Sequence, residues 1–189
     1  MSIYFNSKQT VSGENTPPDT VRVWDIVVRV FHWSLVLMFA AAWLTSDDAV
    51  WLHKIFGYAI LGLVGVRIIW GFIGGKYARF TEFVKSPATV IAYLKDTREG
   101  HAARFLGHNP AGGAMIIALL VALTITGITG WMSVTDAYWG IRWVEIVHSL
   151  SADITIILVT GHIAGVIFTS YSHGENLVRA MITGRKRRY

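Results

Sequence analysis

A chain of 189 residues with 53% hydrophobic and only 15% charged residues carries too few charges to cover a water-exposed surface, for which about 25% is usual, so disordered and ordinary soluble architectures are excluded. Cysteine is absent; this removes disulfides, iron–sulfur clusters, thiolate zinc sites, a cysteine nucleophile and covalently attached c-type haem, and leaves histidine as the main candidate ligand for a transition metal or haem. The formal charge of +5 would suggest nucleic acid in a soluble protein, but no nucleic-acid partner is expected here, because the cations take their meaning from their placement around apolar segments.

Residues 1–25 are polar, contain Pro17 and Pro18, and lack the apolar core and small-residue cleavage site of a secretory signal. They read as an N-terminal arm, and the first apolar span is expected to anchor the mature protein. Four segments, about 26–45, 52–74, 113–135 and 146–170, reach the length of about 20 apolar residues that a bilayer crossing requires. Between the second and third spans, within 75–112, Ser86 and Pro87 precede ATVIAYLKDTREG. That order predicts an N-cap, a proline in the first turn and a short helix. Its Val90, Ile91, Tyr93 and Leu94 suggest that the helix lies at the membrane surface. Residues 26–174 thus read as an all-α four-helix transmembrane bundle, followed by a basic tail, 175–189.

Charge sets the expected orientation. Lys8, Arg22 and Arg29 in the arm, Lys76, Arg79, Lys85, Lys95, Arg98 and Arg104 in the long loop, and Arg179, Arg185, Lys186, Arg187 and Arg188 in the tail place fourteen cations on one side. The short loops 46–52 and 136–145 have only Lys54 and Arg142 at their edges, beside Asp47, Asp48, Asp136 and Glu145. Positive residues favour the cytoplasmic side, so both termini are expected in the cytoplasm of a bacterial inner-membrane protein. Trp43, Trp51, Trp139 and Trp143 would then form an outer aromatic belt, with Trp24 and Trp70 towards the inner face. The run Arg185–Arg188 reads as a topology signal against anionic lipid.

His32, His53, His148 and His162 fall in or at the ends of the spans, where a polar group without a partner is costly and marks function. With alternating span direction, His32 and His162 share the inner depth and His53 and His148 the outer one. His148 and His162 are fourteen residues apart, about 21 Å along a helix and some 40° short of four full turns, so both face nearly the same way. Two facing imidazoles suit a flat macrocycle ligated from both sides, and Gly57, Gly161 and Gly165 leave room for it. The plainer alternative is that each histidine hydrogen-bonds a neighbouring helix and that the two late glycines serve helix packing. Four histidines at two matched depths, with no carboxylates to complete a zinc or di-iron site, favour the macrocycle. Arg67, fourteen positions after His53, stands at the inner depth; it could meet a propionate or a quinone oxygen, or snorkel from a helix end. Asp153 reads as a hydrogen-bonding group between helices in preference to a proton carrier. His101, His108 and His173 lie in loops and are expected to be solvated.

VRVWDIVVRVFHW at 21–33, LHKIFGYAILGLVGVRIIWG at 52–71, RFLGHNPAGGAM at 104–115, HSLSADITIILVTGH at 148–162 and ENLVRAMITGRKRR at 175–188 together resemble the bacterial cytochrome b561 and nickel-hydrogenase cytochrome b family. The likeness runs over about residues 21–188. It implies two b-type haems, with His32 and His162 as ligands of the inner iron, His53 and His148 as ligands of the outer iron, and Arg67 as the recurrent arginine of the second helix. It also implies electron transfer between an extracytoplasmic redox protein, such as a hydrogenase or c-type cytochrome, and the quinone pool. The outer loops are short for that family, so a docking surface would come mainly from the partner. A stand-alone superoxide:quinone oxidoreductase is the alternative, disfavoured by the acidic outer loops; a haem-free structural or transport protein is the third reading. Quinone is expected near the inner haem, where Arg67, Lys76 and His108 gather.

Overall fold

The computed structural model describes residues 19–188; Lys8, Pro17 and Pro18 lie outside them. Four helices are long and apolar enough to cross a membrane: α1 (Ile26–Leu44), α2 (Val50–Ile73), α5 (Pro110–Met132) and α6 (Arg142–Ser172). The starts of α5 and α6 lie a few residues before the boundaries read from hydropathy; for α5 the reason is that the Asn109 side chain caps it, accepting from the Gly112 amide at 2.6 Å, and Pro110 fits the first turn. The Asp25 side chain caps α1 in the same way, accepting from Val28 at 2.8 Å.

These helices pack in the order α1–α2–α5–α6. Ile60 and Val64 of α2 meet Leu120 and Leu123 of α5 and Ala42 of α1 in the central apolar cluster. Most other apolar residues of the spans face outward, as expected where lipid takes the place of water. Trp43, Trp51, Trp139 and Trp143 are all exposed at the end of the bundle away from the termini.

Between α2 and α5 run a single 3-10 turn at Lys76–Ala78, α3 (Phe80–Phe83) and α4 (Pro87–Arg98). Ser86 caps α4 through its hydroxyl, as the Ser–Pro pair predicts. Tyr93 of α4 is buried against Phe105, while Ile91 and Leu94 remain exposed.

The tail departs from the all-helical expectation. It forms α7 (Leu177–Thr183) and a strand β2 (Arg185–Arg187), which pairs antiparallel with β1 (Thr20–Arg22) in the register Val21 to Lys186. Both ends of the described chain therefore meet at one end of the bundle. Gly184 makes the turn possible: its φ of 78° is open to glycine, and a Cβ there would stand 2.7 Å from the Trp24 carbonyl oxygen.

The basic run is not uniformly exposed. Strand alternation turns Lys186 inward, 5% exposed, while Arg185 and Arg187 face out. Lys186 pairs with Glu175 at 3.2 Å and donates to the Phe105 carbonyl at 3.0 Å; Arg104 meets the other Glu175 oxygen at 2.9 Å. Burial alone would raise the Glu175 pKa, but the hydrogen bond from Arg104 and the charge of Lys186 hold it below the usual carboxylate range. Lys186 is also lowered, because burial outweighs what Glu175 returns to it. The pair thus closes the cap with both charges matched inside it.

Candidate functional site

His53 follows the tight turn between α1 and α2, and that turn brings it back beside the end of α1. Its Nδ1 lies 2.8 Å from the Ala42 carbonyl oxygen. His148, near the start of α6, has Nδ1 2.9 Å from the Thr126 carbonyl oxygen of α5. A carbonyl can only accept, so each Nδ1 carries the proton and each Nε2 keeps a free lone pair. The two ring centroids are 6.1 Å apart and the planes nearly perpendicular, at 89°.

At the opposite end of α6, His162 faces His32 of α1, with ring centroids 6.4 Å apart and an interplanar angle of 53°. The buried Nδ1 of His32 has no hydrogen-bond partner. The structure thus brings together the two pairs that helical depth and phase predict.

The separations bear directly on what the pairs could hold. With a metal–imidazole bond of about 2.0 Å and about 1.1 Å from nitrogen to ring centre, two imidazoles on opposite sides of one metal place their centroids about 6.2 Å apart. Both observed separations lie within 0.2 Å of that value. No three His, Asp or Glu side chains converge among the described residues. A metal at either pair would therefore take two ligands from the protein and its remaining ones from elsewhere, as haem iron takes four from its macrocycle.

A Cβ on Gly57 or on the exposed Gly165 would meet nothing within 4 Å, whereas one on Gly161 would touch the Met115 methyl at 3.5 Å, so of the three glycines Gly161 is in ordinary packing contact. Gly130 of α5, absent from the sequence argument, sits directly behind the outer pair; a Cβ there would stand 2.8 Å from His148 Cε1. Its only signal is its place in the small-residue run TGITG of the third span.

Arg67 is 4% exposed and points inward. Its Nη2 donates to the Ala78 carbonyl at 3.1 Å, and its guanidinium lies over Phe80 and Phe83, 5.4 and 5.8 Å from their ring centres. Snorkelling is thereby ruled out for it. Its buried Nη1 has no partner, which leaves one donor for an anionic or carbonyl oxygen.

His108 corrects an expectation. It is not a solvated loop residue: its ring sits 4.5 Å from Trp24 and 4.9 Å from Phe83, and its buried Nδ1 has no partner. Burial first, then the charges of Arg67, Lys186 and His162, push its pKa down to about 3, so it is neutral at pH 7. Trp24 is correspondingly a core residue of the cap, 6% exposed, and not an interfacial anchor. Lys76 stays exposed over Tyr77, and His101 is exposed as expected. Asp153 is a second correction, since it faces outward and bonds no other helix.

The family model of prokaryotic cytochrome b561 matches residues 23–184, across all four spans and both histidine pairs. This chain belongs to that family. It is a membrane electron-transfer cytochrome b, with b-type haem as its cofactor. No curated protein matches the chain. Within this cytochrome, the facing imidazoles are the feature of the described residues that answers most directly to a haem requirement.

Proposed function

We propose that this cytochrome holds two b-type haems and carries electrons across the bacterial inner membrane, between an extracytoplasmic redox protein of hydrogenase or c-type cytochrome kind and the quinone pool. The observation that carries this reading is the pair of ring separations, 6.1 and 6.4 Å, at two depths about 21 Å apart on α6. His53 and His148 would hold the outer iron, and His32 and His162 the inner one. When bound, haem would supply one-electron chemistry, and a histidine pair at each site would hold it there.

The chain's own residues orient and insulate. The Ala42 and Thr126 carbonyls hold Nδ1 of each outer imidazole and leave Nε2 as the nitrogen that would bind the iron. Arg67 Nη1 is the donor for an inner propionate or for a quinone oxygen. Quinone is placed at that end, where Arg67, His108 and the exposed Lys76 gather. The cation excess of the long loop and tail supports a cytoplasmic position for both termini. The exposed Ile91 and Leu94 support a position of α4 at the membrane surface. Acidic Asp47, Asp48, Asp136 and Glu145 in the outer loops oppose a superoxide-gathering surface.

The test uses purified protein in vesicles. Arg67→Leu is expected to slow haem oxidation by a short-chain quinone at least tenfold while the haem content stays at two per chain. Unchanged kinetics would move quinone away from Arg67, and a haem content of one per chain in the unaltered protein would overturn the two-site reading.

A further inference from the structure

Asp153 lies five residues from His148 and nine from His162 on α6, about 7 Å below the outer pair and 13 Å above the inner one, well inside the hydrocarbon depth. The buried residues of the same helix, Val144, Ser151 and Thr155, mark the face turned to the bundle. At about 100° per residue, Asp153 stands roughly half a turn away from each of them. It is exposed, and among the described residues it has no ion-pair or hydrogen-bond partner. A carboxylate on a lipid-facing surface at this depth is costly, and aspartate is too short to reach either membrane surface. Its neighbours on that stripe are the exposed Ile146, Ser149, Ile157 and Thr160, so the carboxylate stands alone in an otherwise uncharged face.

We infer that the outward face of α6 around Asp153 is a docking face for a transmembrane helix of a partner protein that carries a lysine or arginine near the middle of its span. Charge complementarity selects this occupant over a second copy of the chain. Within the described spans the cations are Arg29, Lys54, Arg67 and Arg142. Arg29 and Arg142 stand in the first turn of their helices and Arg67 is buried inside the bundle. Lys54, in the second turn of α2 and exposed, has its Cα about 6 Å nearer the outer surface than Asp153, a depth from which a lysine ammonium turns to the headgroups. A two-fold axis along the membrane normal would instead set two carboxylates face to face.

The experiment uses the full-length, haem-loaded protein in phosphatidylcholine vesicles, with labelled synthetic leucine–alanine transmembrane helices as probes. Energy transfer is read against peptide concentration for a helix with one central lysine, a helix with leucine in its place, and a helix with the lysine moved two turns towards one end. The central-lysine helix should bind at least tenfold tighter than the other two. Asp153→Asn should remove that preference and Asp153→Glu retain it, with the haem spectrum unchanged in both. Equal binding of the three helices to the unaltered protein overturns the inference without recourse to any variant, as does a preference that survives Asp153→Asn. Self-association of two differently labelled copies that Asp153→Asn abolishes would assign the face to a second copy instead, and also overturns it.

Discussion

At one end of α6, His53 and His148 both donate through Nδ1 to backbone carbonyls of neighbouring helices; at the other, His32 has a buried Nδ1 with no partner, and Arg67 and His108 close by each hold an unpartnered nitrogen. The outer pair is oriented by helix packing alone. The inner pair sits under the cap made by α7, β1, β2 and the long loop, and its polar atoms are left for a bound group to satisfy. The two ends should therefore fail separately, the outer to changes in helix contact and the inner to changes in the cap.

The largest separation is expected from Gly130→Val. A Cβ at that position would stand 2.8 Å from the His148 ring, so the ring must leave its place. Haem content should fall from two towards one per chain, with loss of the outer spectral component and retention of the inner; loss of both would mean that the ends are not independent. Glu175→Gln makes the converse break. It leaves Lys186 buried beside a neutral amide, a change worth about 3 kcal/mol at a buried pair. Amide hydrogen exchange at residues 20–22 and 185–187 should accelerate, and only the inner spectral component should shift.

A smaller effect is expected from acid. The Glu175 pKa is depressed in the folded cap, so its contribution is complete above the unfolded value of about 4.5 and is lost as pH falls through the folded value. Protection factors at β1 and β2, taken relative to the intrinsic exchange rate at each pH, should fall below pH 4.5 in the unaltered protein, and Glu175→Gln should flatten that fall. The smallest effect is a control on the comparison. Ser86→Ala removes the α4 cap, worth about 1 kcal/mol locally, and should leave both spectral components in place.

The four spans, the Ser86–Pro87 helix start and the shared phase of His148 and His162 were legible because they depend on local composition and on the 3.6-residue period, which hold whatever the rest of the chain does. The cap was not. Val21 and Lys186 are 165 positions apart, and three-residue strands carry too little pattern to announce their pairing. Without that pairing nothing distinguishes Lys186 from Arg185 or Arg187, and the run reads as one solvated patch. The burial of His108 is hidden for the same reason: Trp24 and Phe83 come to it from two other segments. The outward position of Asp153 is legible in the helical phase, half a turn from His162 on the same helix.

The pairing of ligands is tested most directly by haem stoichiometry and redox titration of the four single variants His32→Ala, His53→Ala, His148→Ala and His162→Ala. His53→Ala and His148→Ala should lose the same spectral component, His32→Ala and His162→Ala the other, each with about one haem left per chain. A loss in His32→Ala that matches His148→Ala, or two haems retained in any of the four, would contradict the account.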